Sequence, residues 1–194
     1  LKAKSGLNNY KEITPKNILK KVNTPKDSLL YSKAMESAAT LVKNNDEILP
    51  LSTNKRYLHV SFGKNNNSEY LTNKMDLYVD VERFESDDYS SIYSKTDYDA
   101  IIISYHGSSS SPYASNIIPD DIVGKIDNIS KSNNVILNLF LNPYSLNSFE
   151  SIDNFESIII AYQNNMISQE SSADLMFGVR SYKGKIPVSN NFFK

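Results

Sequence analysis

The sequence predicts an α/β fold: a three-layer α/β sandwich with a mostly parallel sheet of about five strands flanked by helices. Three observations carry that expectation. The runs Ile101-Ile102-Ile103 and Ile158-Ile159-Ile160 do not alternate with polar residues, as expected of strands covered on both faces. Short apolar runs alternate with stretches of helical spacing between residues 57 and 177, the rhythm of β-α-β units. The chain has 194 residues, 40% of them hydrophobic, and a mean hydropathy of −0.43, which suits a folded chain with a real core.

The elements follow in order. Residues 1–23 read as irregular or weakly helical, with Thr14-Pro15 as a helix start. Thr24-Pro25-Lys26-Asp27 repeats that signal, with a carboxylate in the first turn where the helix dipole favours it. Leu30, Ala34, Ala38 and Leu41 then recur at helical spacing, predicting a helix over 25–43. Tyr57–Phe62 reads as a strand, 67–75 as a short helix and 77–81 as a strand. Ala100–Ser104 is a strand, 117–130 a helix, 134–141 a strand and 157–161 a strand. Residues 166–177 form a helix stopped by Gly178, and 185–188 a last short strand.

Composition excludes several functions. Lys+Arg is 21 and Asp+Glu is 22, so the chain lacks the basic excess that general nucleic-acid or anionic-membrane binding needs. Charge is uneven: residues 1–56 hold 11 basic and 5 acidic side chains, residues 57–194 hold 10 and 17. This reads as a lysine-rich solvated helical face before an acidic body. Cysteine is absent, which removes disulfides, thiolate metal sites and a cysteine nucleophile while leaving the compartment open. No apolar run approaches the roughly 20 residues of a membrane span. The chain begins at Leu1 rather than Met, as expected of a piece of a longer polypeptide.

Open α/β sheets bind ligands outside the carboxyl ends of their strands, which selects three loops. They are His106-Gly107-Ser108 through Tyr113, Asn142-Pro143-Tyr144, and Gln163-Asn164-Asn165. Together they offer amides, hydroxyls and aromatic faces, groups that suit a sugar. The candidate substrate-binding residues are His106, Ser108, Tyr113, Asn142, Tyr144 and Gln163. His59, inside a strand, reads as a packed core histidine. No nucleophile elbow accompanies Ser108 and His106, and no acidic orienter is evident. Two histidines without a His-x-x-x-His spacing do not make a zinc site. Six glycines and no phosphate-binding motif count against nucleotides. No cofactor is expected. The three loops hold no carboxylate pair of the kind glycoside hydrolysis uses, so the residues alone present no self-contained catalytic constellation.

Two stretches carry a family pattern. Ser37-Ala38-Ala39-Thr40-Leu41-Val42-Lys43-Asn44, continued to Ile48-Leu49-Pro50-Leu51, resembles the segment that opens the C-terminal domain of glycoside hydrolase family 3. Ala173-Asp174-Leu175-Met176-Phe177-Gly178, then Gly184-Lys185-Ile186-Pro187-Val188-Ser189, is similar to the segment that closes it. Between them, Asn134–Asn142 with Pro143-Tyr144, and Ile159-Ile160-Ala161-Tyr162-Gln163-Asn164, resemble bacterial members related to β-N-acetylhexosaminidases. Leu1-Lys2-Ala3-Lys4-Ser5-Gly6-Leu7 resembles the segment just after their barrel.

The resemblance implies a division of labour. A separate N-terminal barrel, absent here, carries the nucleophilic aspartate, and in the hexosaminidase branch also the acid/base His-Asp pair. The β-glucosidase branch takes a glutamate acid from the C-terminal domain, but the loop after Ser104 holds no Glu, and Gln163 stands where relatives often have Glu. No catalytic residue is carried over. Residues 1–23 are then an arm following the missing barrel, and 24–194 the C-terminal α/β-sandwich domain. Its expected partners are that barrel and, through it, a carbohydrate, in a bacterial periplasmic or secreted setting before a cytoplasmic one. The alternative is a stand-alone carbohydrate- or small-ligand-binding module of the same fold.

Overall fold

A computed structural model of the chain describes residues 1–9, 15–63, 67–93, 97–107, 117–189 and 192. Two compact units are present, Leu1–Lys33 and Ala34–Lys194. The first holds a 3₁₀ turn at Leu7–Asn9, helix α1 at Ile18–Val22 and the start of α2, which runs Pro25–Ala38 across the boundary. None of the residues in these elements is buried. Thr14 lies outside the described residues. The second start signal is realised as a reciprocal box: Asp27 accepts the Thr24 backbone N–H at 2.9 Å, and Thr24 Oγ1 accepts the Asp27 N–H at 3.3 Å.

The second unit is built on one six-stranded sheet. Its strands are β1 (Thr40–Asn44), β2 (Tyr57–Phe62), β3 (Glu82–Arg83), β4 (Ala100–His106), β5 (Val135–Phe140) and β6 (Phe155–Ile160). They lie in the order β1-β6-β5-β4-β2-β3. All neighbouring pairs are parallel except β1 with β6. The helices of this unit are α3 (Glu69–Met75), α4 (Asp120–Ser130) and α5 (Met166–Met176).

The isoleucine runs explain the layers. Ile101 and Ile103 face a cluster closed by Ile126 and Ile129 of α4. Ile102, between them, faces the opposite cluster, closed by Leu71 and Met75 of α3 and by Ala173 and Met176 of α5. With both faces covered, a run of three isoleucines is the expected solution. These observations bear out the three-layer sandwich with its mostly parallel sheet.

Three expectations change. The helix expected over 25–43 stops at Ala38, and Thr40–Asn44 instead pairs antiparallel with β6, Thr40 opposite Ile160 and Leu41 opposite Ile159. The sheet therefore has six strands. Thr40 and Val42 are β-branched and fit a half-buried strand, and β6 offers them an open edge. The strand expected over 77–81 is a turn following α3, with Tyr78 N–H bonded to Met75 O at 2.8 Å; pairing begins only at Glu82 and lasts two residues. Residues 185–188 form no strand. The chain passes the α2–β1 junction at Gly184, where a Cβ would stand 2.3 Å from Ala38 O. Gly178 stops α5 as expected: its φ is +72°, and a Cβ there would meet Pro50 at 2.8 Å.

Candidate functional site

The chain leaves β2 toward β3 on one side and returns to β4 on the other. The reversal falls between β2 and β4, where open sheets of this kind hold ligands beyond the strand carboxyl ends. The first turns of the two loops touch there. Gly63 has φ +119°, and a Cβ on it would lie 2.3 Å from His106 O, so only glycine lets these backbones meet. Ser108 and Tyr113 lie outside the described residues.

The described rim residues occupy distinct environments. Asn142 accepts the Tyr144 N–H through its side chain at 3.0 Å, capping the 3₁₀ turn Pro143–Ser148. Tyr144 is exposed and Gln163 half-buried. Gln163 follows Tyr162, whose φ of +62° is unusual for a bulky residue. Tyr162 is held at its far end, where its hydroxyl meets Thr40 Oγ1 at 3.1 Å. His106 does not sit on the rim surface. Its ring is fully buried, stacked on Phe140 with centroids 4.8 Å apart.

Beneath the rim, on the face covered by α3 and α5, runs a chain of polar side chains. Gln169 Oε1 accepts Leu71 N–H at 3.1 Å; Gln169 Nε2 donates to Asn67 O and to Asn164 Oδ1, both at 2.8 Å. Asn164 Oδ1 lies 2.9 Å from His106 Nδ1, and His106 Nε2 lies 2.9 Å from Ser104 Oγ. Ser104 Oγ in turn lies 2.8 Å from His59 Nε2 and 3.4 Å from Ser61 Oγ. The acceptors fix the protons. Asn164 Oδ1 only accepts, so His106 carries its hydrogen on Nδ1 and its Nε2 takes the Ser104 hydroxyl proton. Ser104 Oγ is then the acceptor for a proton on His59 Nε2.

Burial keeps both imidazoles neutral. It holds the His59 pKa down at about 3, with His106 and Arg83 pushing the same way. Burial also lowers that of His106, against the hydrogen bond that it donates to Asn164 Oδ1. Ser104, His106 and Asn164 have the connectivity of a nucleophile, a base and its orienter. However, Ser104 and His106 are both fully buried, so a substrate carbonyl cannot reach Oγ. The arrangement ties β2, β4, α3, α5 and the 163–165 loop together; it does not do acyl chemistry.

Sequence reasoning overlooked Ser104 and Gln169. The signal was present: Ser104 and His106 are polar residues of one parity in an otherwise apolar strand, and His59 sits in the strand alongside. A cleft of about 350 Å³ opens at the amino ends of the strands among Asp46, Glu47, Lys55, Asp99 and Glu156, away from the rim. Among the described residues no three His, Asp or Glu side chains could hold a metal, and no helix is long and apolar enough to cross a membrane.

The sequence matches no protein-family model and no curated protein. Similar solved structures do exist. The β-glucoside phosphorylase BglX shares 21% identity at a TM-score of 0.68, over 97% of this chain and 36% of its own. A family 3 β-N-acetylglucosaminidase from Paenibacillus sp. FPU-7 shares 15% at 0.64, over 92% and 35%. A fungal multi-domain family 3 β-N-acetylglucosaminidase shares 16% at 0.68, over 91% and 20%. The chain thus spans between a fifth and about a third of the enzymes it resembles. Its fold is that of a glycoside hydrolase family 3 C-terminal domain, without the barrel.

Proposed function

We propose that this chain is a non-catalytic domain of a family 3 glycoside hydrolase, β-N-acetylhexosaminidase-like, that packs its carboxyl rim against a catalytic barrel lying outside it. One observation carries the reading. Tyr70 at the start of α3, Ile117 before α4, Tyr144 after β5 and Met166 at the start of α5 are 40%, 67%, 47% and 46% exposed. Each follows the carboxyl end of a parallel strand, so four large apolar side chains stand at one end of the sheet. Such a concentration marks a docking surface, and the matched enzymes each have most of their length left over to supply the partner.

In this reading Asn142, Tyr144 and Gln163, with Ser108 and Tyr113 of the neighbouring loop, approach the glycoside at the barrel's mouth. His106 contributes from below by holding Asn164. The nucleophile and the acid are supplied by the barrel.

The test compares this chain with a longer polypeptide that includes the barrel, using chromogenic β-N-acetylglucosaminide and β-glucoside. Activity in the longer chain only is expected, together with a lowered melting temperature when Ile117, Tyr144 and Met166 are all changed to Ser. Turnover by this chain alone, or a triple variant of the longer chain that behaves as wild type, sinks the reading.

A further inference from the structure

Two side-chain oxygens between β5 and α5 are buried with no hydrogen-bond partner among the described residues: Asn138 Oδ1 and Ser168 Oγ. Asn138 is fully buried and Ser168 is 3% exposed. They belong to one spot. Asn138 Nδ2 donates to Ser172 Oγ at 2.8 Å, and Ser168 lies one helical turn before Ser172 on α5. Residues four apart on a helix stand side by side, about 5–6 Å between their Cβ atoms. Both open oxygens therefore flank the same Ser172 hydroxyl. An interior polar atom without a partner is costly, and two of them at one place call for a partner in common.

The amide of Asn138 does not solve this by turning over. Oδ1 would then take the Ser172 hydroxyl hydrogen, but Nδ2 would be left open in its stead. The surroundings restrict what an added partner can be. The apolar cluster on this face includes Ile136 and Phe140 of β5, Ile159 of β6, and Ala173 and Met176 of α5, so an ion would lie in an apolar wall without a counter-charge. The buried acid of α5, Asp174, is committed to Tyr78, Lys74 and Arg180. The partner must donate to Asn138 Oδ1, which only accepts, and it can accept from the Ser168 hydroxyl. It must also be small, since it reaches two oxygens about one helical turn apart. A single water meets all of these demands, with two serine hydroxyls and one amide oxygen as its polar neighbours.

We propose that an internal water binds between β5 and α5, donating to Asn138 Oδ1 and accepting from Ser168 Oγ–H. It completes the polar inner face of α5 and fixes the helix against the centre of the sheet. The site stands whether or not the rim docks on a barrel, because Asn138, Ser168 and Ser172 all lie in the interior.

Two measurements on the full chain test it. In a high-resolution crystal structure, one fully occupied water is expected within hydrogen-bond distance of both Asn138 Oδ1 and Ser168 Oγ. In solution, oxygen-17 magnetic relaxation dispersion counts long-lived internal waters without interference from hydroxyl hydrogens. The variant Asn138→Leu/Ser168→Ala, checked to keep its amide spectral dispersion, is expected to lose about one such water relative to the wild type. A dry site in the crystal overturns the proposal. So does a Ser168 hydroxyl bonded directly to Asn138 or turned onto a backbone carbonyl, or a folded double variant whose count of long-lived waters is unchanged. The wild-type crystal structure decides the matter by itself if the double variant does not fold.

Discussion

Two imidazoles that share one serine hydroxyl make stability depend on acidity in a definite direction. His59 is held near a pKa of 3 and His106 below its ordinary value, whereas both take up protons near 6.5 once unfolded. The unfolded chain therefore binds more protons below pH 6.5, and stability falls as pH drops from 6.5 toward 3. The slope is about 1.4 kcal/mol per pH unit for His59 over that range, and His106 steepens it in the same direction. Urea unfolding across that range should show it, and His59→Gln should remove about one histidine's share. A second prediction concerns Gly63. Gly63→Ala combines a left-handed backbone, about 1–2 kcal/mol, with a Cβ 2.3 Å from His106 O; a melting-temperature drop larger than that of Gly124→Ala, where a Cβ meets nothing, is expected. The histidines were partly legible in the sequence. His59 reads correctly as a core residue. His106 reads as a loop residue only if the strand is ended at Ser104; the strand's period of two continues through it and turns its ring inward with Ser104.

At the scale of elements, α5 departs most from pattern. Ser168, Gln169, Ser171, Ser172 and Asp174 are buried on it, so its inner face is held by hydrogen bonds as much as by apolar contact. Asn138 of β5 donates to Ser172 Oγ at 2.8 Å in the interior. Ser172→Ala strands that donor and should cost about 1–3 kcal/mol; adding Asn138→Leu should return much of the loss, readable as non-additivity in a double-mutant cycle. The element that misled most is α2. Its start was legible because the Thr24–Asp27 box is local chemistry, and Thr24→Ala should cost about 1 kcal/mol of helix stability by circular dichroism of this segment. Its end was not legible. Leu41 keeps helical spacing, but the choice between helix and strand at 40–44 is made by a partner more than a hundred residues away.

For the whole molecule, alternation of apolar runs and helical stretches was sufficient to obtain the layers, since each parallel strand needs cover on both sides. What escaped was anything decided at distance: the sixth strand, the two-residue β3, and Gly184 lying against the α2–β1 junction. The candidate site divides the same way. The rim loops were legible because topology places them, while the His59–Ser104–His106–Asn164–Gln169 chain joins three separate regions of sequence and appears only when they meet. Carboxyl-rim docking is the prediction that belongs to this scale, and its readout is the melting behaviour of the longer polypeptide.

The antiparallel pairing of β1 with β6 also sets a timetable for synthesis. Thr40 and Leu41 leave the ribosome early, but their hydrogen-bonding partners Ile160 and Ile159 are made about 120 residues later. Until then β1 has nothing to pair with, and β5, bound on one side to β4, shows its other side to every nascent chain nearby. At roughly 5–20 residues per second that wait lasts on the order of ten seconds. A chain released before Phe155 would keep both the orphan strand and the bare edge, the pair of features most apt to recruit a second copy in place of the missing strand.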